Sequence, residues 1–262
     1  MTGAAPSALV LGGSSEGFAV AARLHALGFD VVTSFAGRTE RRRTPEGRTR
    51  VGGFGGVEGL AAYLMTERPL CVIDATHPFA ARMKANAAEA CRRTGTPLTH
   101  VERPAWTPRP GDDWRPAADV AEAAALIPAT DGPCLVTVGR QELAPFATRT
   151  DVALLLRMID PLEAPFPHPR ATIVLDRGPF GLDAERRLFD AHGVASVVAK
   201  NSGGDAARAK LDAARERGLP VVMIGRPPRP AGQTVPTPDA AAAWAARLVA
   251  ERGARLRGPG AP

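Results

Sequence analysis

A glycine-rich turn near the start of the chain has the residue types that bind a phosphate group. It follows an apolar run at residues 8–11, precedes helical spacing at residues 16–27, and consists of Gly12, Gly13, Ser14 and Ser15. Glycines let a backbone approach a pyrophosphate, and the following helix offers free N–H groups and a positive dipole end. The dinucleotide-binding fingerprint has glycine at positions 12, 14 and 17, so serine at position 14 makes the match partial. We predict phosphate binding at this turn; an ordinary tight strand-to-helix turn is the alternative.

The residues after the second apolar run, 30–35, predict the kind of dinucleotide. NAD-binding proteins place a carboxylate about 20 residues past the glycine turn, where it holds the ribose 2′-OH. Here the tip of the run carries no carboxylate and instead offers Ser34, Arg38 and Thr39. A guanidinium can bind phosphate oxygens bidentately, so these residues predict NADPH as the cofactor. The alternative, a solvated arginine loop, fits residues 41–43 better than Arg38.

A second glycine cluster surrounds a single aromatic residue. Residues 52–56 place four glycines around Phe54. That much backbone freedom is costly in folding entropy, so a plain linker is an incomplete explanation. The cluster suits a loop over a cofactor or another flat ligand, with a flexible surface loop as the alternative.

The motif Asp-Ala-Thr-His-Pro-Phe-Ala, at residues 74–80, joins an apolar strand to a helical stretch. Pro78 fits the first turn of that helix, where proline is favoured. Helix capping does not explain His77. A histidine at the end of a strand can donate to an anion or move a proton near neutral pH, so His77 is the candidate catalytic residue.

Cations and amides recur beside glycine or proline in the second half of the chain. The candidate substrate-binding residues there are Gly139, Arg140, Gln141, Arg177, Lys200, Asn201 and Ser202. They follow or end predicted strands, and the carboxyl ends of parallel strands meet at one edge of a sheet, where α/β proteins bind ligands. Cations along that edge, with backbone N–H groups exposed by the glycines near Lys200, predict a cleft that binds a polyanion.

The strands and helices that position these residues can be predicted from the sequence, because short apolar runs alternate with helical spacing along almost the whole chain. This alternation predicts an α/β fold of two Rossmann-like three-layer domains, with mainly parallel sheets and a cleft between the domains. Residues 103–116, rich in proline and tryptophan, indicate an irregular connection. A turn-rich break then divides an NADPH-binding domain at 1–129 from a substrate-binding domain at 130–252. Residues 253–262, rich in Arg, Gly and Pro, predict a disordered tail.

The composition of the 262-residue chain excludes several classes of protein. No apolar run is long enough to span a bilayer and no secretory signal opens the chain, so we expect a cytoplasmic protein. Three scattered cysteines provide neither a disulfide framework nor a zinc site, so no metal is expected. A net charge of +6 suits an anionic ligand, while 5% aromatic residues argue against nucleic-acid stacking. We expect no nucleic-acid or membrane partner, and a monomer or homodimer.

Together these motifs resemble the precorrin-6A reductase family of cobalamin biosynthesis, which includes the cobalt-precorrin-6A reductases. The similarity runs in order from residue 9 to about residue 227. Its most specific parts are residues 74–80 and Lys-Asn-Ser-Gly-Gly at residues 200–204. The other matching segments are residues 11–16, 34–39, 52–56, 139–143, 159–161 and 177–180. Serine at position 14, where threonine is usual in the family, keeps the hydroxyl.

The resemblance implies NADPH-dependent reduction of one carbon–carbon double bond in precorrin-6A, giving precorrin-6B. The substrate would be a macrocycle with many carboxylates, which suits a positively lined cleft. Hydride would come from the nicotinamide, and the proton that follows would come from His77 or from bound water. The alternative function is a non-catalytic binding protein for an anionic tetrapyrrole or a nucleotide.

Overall fold

The computed structural model describes residues 5–36 and 44–257. These residues form two compact units, each built around one parallel β-sheet. The first unit comprises residues 1–103 together with 228–262, and the second comprises residues 104–227. The predicted α/β class with parallel sheets is thereby confirmed.

The sheet of the first unit contains strands from both ends of the chain. They are β1 (Ser7–Leu11), β2 (Asp30–Phe35), β3 (Arg48–Val51), β4 (Cys71–Asp74), β5 (Leu98–Val101) and β12 (Gln233–Val235). The covering helices are α1 (Ser15–Ala26), α2 (Gly56–Glu67), α3 (Ala81–Thr94) and α7 (Pro238–Arg257). The strands are parallel and lie in the order β12-β5-β4-β1-β2-β3. The chain direction across the sheet reverses between β1 and β4, which makes that position the topological switch point.

Helices cover this sheet on both faces. On one face Ile73 packs with Leu24 of α1 and Trp244 of α7. On the other face Leu9 packs with Leu60 of α2. Because both faces are buried, the central strands β1 and β4 are runs of apolar residues rather than alternating ones, up to Asp74 at the end of β4. This pattern made them recognisable in the sequence.

The sheet of the second unit has the same architecture. Its strands are β6 (Asp113–Ala117), β7 (Cys134–Val136), β8 (Leu154–Met158), β9 (Ala171–Leu175), β10 (Ser196–Lys200) and β11 (Pro220–Ile224). The helices are α4 (Val120–Ala125), α5 (Leu182–His192) and α6 (Ala209–Glu216), with 3₁₀ turns at Arg140–Glu142, Ala144–Thr148 and Asp205–Ala207. The strands are parallel in the order β6-β11-β10-β7-β8-β9, so the switch point lies between β7 and β10. Leu135 and Leu155 of this sheet pack against Phe189 of α5 and Leu211 of α6.

The division of the chain differs from the predicted boundary at residues 129–130. β6 pairs with β11, so the second unit already begins at residue 104. β12 and α7 return to the first unit after the second is complete, and β12 pairs there with β5. The first unit thus takes its sixth strand, β12, from beyond the second unit in the sequence. The second unit is continuous and includes β6, which lies before the predicted boundary, and local composition reveals neither assignment.

The segment before the predicted boundary and the C-terminal segment also differ from the sequence-based expectation. The segment predicted as an irregular connection contains β6, which tolerates Pro116 because it lies at the edge of its sheet. α7 continues to Arg257, so residues 253–257 are helical rather than disordered. Residues 258–262 lie outside the described part of the chain.

Within residues 5–36 and 44–257, no helix has the length and apolar character needed to cross a membrane. The same residues contain no group of three His, Cys, Asp or Glu side chains arranged to hold a metal ion. Cys71, Cys91 and Cys134 are buried thiols, and burial raises the pKa of each to about 12. Thiols with such a pKa are unreactive near neutral pH.

Candidate functional site

The turn between β1 and α1 brings backbone atoms into close contact at the switch point of the first sheet. A Cβ atom at Gly12 would lie 2.9 Å from Cγ2 of Thr33, and one at Gly17 would lie 3.0 Å from the Cα of Gly12. Gly13 has a φ of +112°, a conformation that residues with side chains rarely adopt. The turn is therefore shaped by its glycines, as a phosphate-binding turn requires.

The hydroxyl of Ser14 is used within the protein. It accepts a hydrogen bond from the N–H of Gly17 at 3.2 Å and donates one to the carbonyl of Ala75 at 2.6 Å. The second bond ties the turn to the residue after β4, across the switch point. The N–H groups of Ser15 and Glu16 belong to the first turn of α1 and have no acceptor inside the helix. Backbone N–H groups, rather than the Ser14 hydroxyl, are the donors that this turn presents to an anion.

An ion pair controls the charge beside these N–H groups. Partial burial alone would raise the pKa of Glu16, but the hydrogen bond and positive charge of Arg103 outweigh it and hold that pKa below its usual value. Arg103 Nη1 donates to Oε1 of Glu16, and both side chains are mostly buried. Because Arg103 balances the carboxylate, the negative charge of Glu16 does not oppose an incoming phosphate.

The end of β2 lies beside the glycine turn, as predicted for the ribose side of a dinucleotide. The N–H of Gly12 donates to the carbonyl of Ser34 at 2.9 Å. Arg38 and Thr39, the predicted 2′-phosphate ligands, lie outside the described residues. Arg50, on the neighbouring β3, places Nη1 3.4 Å from the hydroxyl of Ser34. Arg50 was not among the predicted site residues, because a segment as polar as Arg-Thr-Arg-Val does not have the pattern of a buried strand.

A buried charge cluster supports the end of β4. Oδ2 of Asp74 accepts from His100 Nδ1 at 2.7 Å and from Lys84 Nζ at 3.1 Å. Oδ1 accepts from the N–H and the hydroxyl of Thr76, at 3.0 and 2.6 Å. Burial would raise the pKa of Asp74, but these partners lower it to about 2. Asp74 therefore stays ionised and fixes Thr76, the residue before His77.

His77 is held by the turn that leads into α3. The N–H of Phe79 donates to Nδ1 of His77 at 3.3 Å, and the N–H of Ala80 donates to its carbonyl at 2.8 Å. With Nδ1 accepting, a neutral His77 carries its proton on Nε2. The geometry therefore makes the Nε2–H of the neutral ring a hydrogen-bond donor.

In the second unit, Lys200 stands at the end of β10, next to the switch point. Its ammonium group pairs with Oε2 of Glu142. The same oxygen accepts from the N–H of Gly139 at 3.3 Å, so one carboxylate joins the end of β10 to a residue that follows β7. Lys200 was predicted to bind a carboxylate, and here it binds one that belongs to the protein. Glu142 was not predicted, although its place in Gly-Arg-Gln-Glu was visible.

Asn201 and the following residues form a loop that is held by hydrogen bonds within the protein. The amide of Asn201 accepts from the N–H of Trp106 at 2.8 Å and donates to its carbonyl at 2.9 Å. Arg226 donates to the carbonyls of Asn201 and Ser202, at 2.9 and 3.2 Å. Ser202 is buried, and its N–H donates to the carbonyl of Lys200 at 2.6 Å. These contacts hold Lys200 on a rigid support, which sequence reasoning did not foresee.

The remaining predicted substrate residues are solvent-exposed. Gly139, Arg140 and Gln141 lie at or beside the 3₁₀ turn after β7. Among the residues that the structure describes, Arg140 has no carboxylate within ion-pairing distance. Arg177 is exposed after β9, and its N–H donates to Oδ1 of Asp176 at 2.8 Å.

A buried cation cluster in the second unit was also absent from the sequence analysis. Arg157 makes a bidentate pair with Glu185, at 2.9 and 3.0 Å. Nearby, Lys210 donates to the carbonyl of Ala207 at 2.6 Å and lies 5.6 Å from the ring centre of Trp106. Burial, with the charge of Arg157, lowers the pKa of Lys210 to about 8. These residues are structural, since both cations are bonded inside the unit.

The strand orders, the covered sheets and the glycine turn at a switch point define the chain as a Rossmann-like α/β protein with two parallel sheets. Residues 7–246 match the family model described as Precorrin-6x reductase CbiJ/CobK. The chain therefore belongs to the precorrin-6x reductase family.

Full-length relatives agree with this membership. The chain is 46% identical over 242 residues to the precorrin-6A reductase of Rhodococcus erythropolis, covering 92% of this chain and 97% of that protein. It is 44% identical over 250 residues to the precorrin-6A reductase of Rhodobacter capsulatus, covering 95% and 98%. A solved structure described as CobK precorrin-6A reductase has a TM-score of 0.89 at 44% identity, covering 93% of this chain and 97% of that one. The family resemblance predicted from the motifs is confirmed.

Proposed function

We propose that NADPH is the hydride donor of this chain, which as a precorrin-6x reductase reduces a carbon–carbon double bond of precorrin-6A in cobalamin biosynthesis. When bound, NADPH supplies the hydride. The residues of the chain bind and orient the two reactants, and they deliver the proton that completes the reduction.

The glycine turn at the switch point of the first sheet is the observation that carries this proposal. A Cβ atom at Gly12 would collide with Thr33, one at Gly17 would lie unusually close to Gly12, and Gly13 has a positive φ. The resulting turn leaves the N–H groups of Ser15 and Glu16 without intrahelical acceptors. We assign these groups to the pyrophosphate, with Ser14 holding the turn in shape and Ser34 beside the ribose.

We assign the proton to Nε2 of His77. The Phe79 N–H holds the ring at Nδ1, so the transfer would run from Nε2. To release a proton the ring must first be doubly protonated, and it then gives up the bond from Phe79 because its Nδ1 carries hydrogen. Asp74 supports the same segment through its two bonds to Thr76. A bound water is the competing donor. His77→Gln separates the two, because a water-mediated step would keep most of its rate and its pH profile.

We assign the carboxylates of the substrate to the second unit, at the ends of β7 and β10. Lys200 and Arg140 would provide the positive charge. The other residues assigned to the substrate are Gly139, Gln141, Arg177, Asn201 and Ser202. Glu142 supports this assignment, since it already places a carboxylate on Lys200 and on the Gly139 N–H. A substrate carboxylate would take over those donors from Glu142, which is partly exposed and can turn toward solvent.

The cofactor choice is tested with Arg38→Ala. Loss of a charged phosphate contact predicts a rise of about tenfold in the Michaelis constant for NADPH, and little change for NADH. Arg41→Ala, in the same arginine-rich segment, is the matched control and should leave both constants unchanged. Equal changes for NADPH and NADH in Arg38→Ala would remove this residue from the 2′-phosphate.

The substrate assignment is tested with Lys200→Ala. We expect about tenfold weaker binding of precorrin-6A at low salt, with a smaller dependence of affinity on ionic strength. The control is Arg187→Ala, which removes an exposed cation from α5 of the same unit. Unchanged affinity in Lys200→Ala, or an equal loss in the control, would contradict a direct contact.

A further inference from the structure

Arg50 lies at the carboxyl end of β3 and is anchored on three sides. It is paired in register with Ser34 of β2, and its Nη1 donates to the Ser34 hydroxyl at 3.4 Å and to the Gly52 carbonyl at 2.6 Å. Nη2 donates to the carbonyl of Gly53 at 2.9 Å. The guanidinium carbon lies 3.8 Å from the ring centre of Phe54. The glycine cluster predicted as a ligand loop therefore folds around this arginine.

Among the described residues of the first unit, no acidic side chain balances the charge of Arg50. Its hydrogen bonds go to two carbonyls and a hydroxyl, and no carboxylate of the described residues lies within ion-pairing distance. Arg48, two residues earlier on the same strand, instead pairs with Asp30 at 2.7 Å. A bound anion stabilises a half-buried guanidinium that has only neutral partners more than it stabilises a guanidinium surrounded by water. This difference between the two arginines indicates an anionic ligand at Arg50.

The contacts of Arg50 leave donors for such a ligand. A guanidinium has five N–H groups. The bonds to Ser34, Gly52 and Gly53 use both N–H groups of Nη1 and one of Nη2. The Nε–H and the second N–H of Nη2 remain, and they form the edge that binds two oxygens of a phosphate at once.

The position of Arg50 indicates which phosphate group of NADPH it would contact. In sheets of this order the end of the strand next to β1 takes the ribose of the adenosine half of a dinucleotide. Here that strand is β2, and Arg50 is bonded to Ser34 near its end. We propose that Arg50 binds the 2′-phosphate of NADPH and thereby helps to determine specificity for NADPH over NADH. This inference rests on the proposed function, because it assumes that the cofactor occupies the first unit.

The surrounding loop holds the side chain of Arg50 in one conformation before the nucleotide binds. Phe54 contacts Tyr63 of α2 edge-on, with ring centres 5.2 Å apart, and so holds one face of the guanidinium. Gly52 and Gly55 have φ values of +111° and +82°, which allow the loop to turn its carbonyls toward Arg50. A fixed guanidinium loses little side-chain entropy when it binds, so the loop raises affinity without touching the ligand.

The test is isothermal titration of the purified full chain with 2′,5′-ADP and with 5′-AMP, which differ by the 2′-phosphate. Arg50→Met keeps the length of the side chain and removes its charge. We expect affinity for 2′,5′-ADP to fall about 10- to 100-fold and affinity for 5′-AMP to change by less than about twofold. The matched control, Arg48→Met on the same strand, should change neither affinity.

The outcomes separate this inference from the proposed function. Suppose that the unaltered chain prefers 2′,5′-ADP. If Arg50→Met keeps that preference, or loses affinity for both ligands equally, the Arg50 assignment is overturned while the NADPH proposal stands. If the unaltered chain does not distinguish the two ligands, the NADPH proposal falls with it. Should Arg50→Met fail to fold, Arg50→Lys retains the charge but not the bidentate edge, and we expect a selective loss of about three- to tenfold for 2′,5′-ADP.

Discussion

Replacing Asp74 with asparagine tests how the end of β4 is held in place. Asp74 is fully buried and accepts hydrogen bonds from Lys84, His100 and Thr76. Lys84 is only 3% exposed, so the substitution would leave a buried ammonium group without its counter-charge. The same change at Asp30, whose partner Arg48 is well exposed, serves as the matched control.

The magnitude follows from the burial and the pKa of the carboxyl group. Burial alone would raise the pKa of Asp74, yet its partners lower it from the ordinary value of 3.8 to about 2. A shift of that size corresponds to roughly 2 kcal/mol in favour of the ionised folded state. Removing one partner of a buried ion pair typically costs about 3–5 kcal/mol. We therefore expect Asp74→Asn to lower the free energy of unfolding by about 3–5 kcal/mol, and Asp30→Asn by less than about 1 kcal/mol.

The same carboxyl group gives the pH dependence a definite sign. Its folded-state pKa lies below the unfolded value, so its contribution is fully present above pH 3.8 and is lost as the pH falls toward about 2. The unaltered chain should lose this contribution across that interval. Asp74→Asn has no such group, and its stability should vary less over the same interval.

Urea unfolding followed by circular dichroism measures these differences in each variant. The double variant Asp74→Asn/Lys84→Met removes the stranded charge as well, so it should recover at least about 1 kcal/mol relative to Asp74→Asn. A loss in Asp74→Asn no larger than that in Asp30→Asn would refute the account of a buried charge cluster. A double variant no more stable than the single one would show that unpaired charge is not the cause.

Three further changes have expected outcomes that thermal or urea unfolding can check. Gly13→Ala should cost about 1–3 kcal/mol and weaken NADPH binding, because its φ of +112° disfavours a side chain; an unchanged melting temperature would contradict the strained turn. Asn201→Ala removes both bonds to the backbone of Trp106 and should cost about 2–4 kcal/mol; an unchanged free energy of unfolding would contradict the fixed loop. Lys210 has a folded-state pKa of about 8, below the ordinary lysine value of 10.5, so the stability of the unaltered chain should rise with pH across that interval, and Lys210→Met should abolish the rise.

The sequence predicted the parts of the fold that are determined locally. Central strands such as β1, β4 and β10 are short apolar runs because helices or neighbouring chain cover both of their faces. The missed strands β3, β6 and β12 all lie at sheet edges. An edge strand pairs on one side only, so polar residues and proline are tolerated there and the local pattern is lost. The assignment of β6 to the second unit and of β12 to the first depends on these long-range pairings.

The candidate site shows the same limit. The glycine turn was predictable because its residues are consecutive and lie between a clear strand and a clear helix. The partner of the Ser14 hydroxyl is Ala75, and the partner of the Asn201 amide is Trp106, each far away in the sequence. Arg50 became visible only when β3 was placed beside β2. A residue type predicts the chemistry of a side chain, but the fold decides whether that side chain is still available for a ligand.

The most direct test of the proposed reaction is a single turnover of the full chain with precorrin-6A and NADPH carrying two deuterium atoms at C4 of the nicotinamide. We predict that precorrin-6B forms in a one-to-one ratio with NADPH oxidised, that mass spectrometry finds deuterium in the product, and that NADH reacts far more slowly. An unlabelled product, or equal rates with NADPH and NADH, would contradict direct hydride transfer from a cofactor selected by its 2′-phosphate.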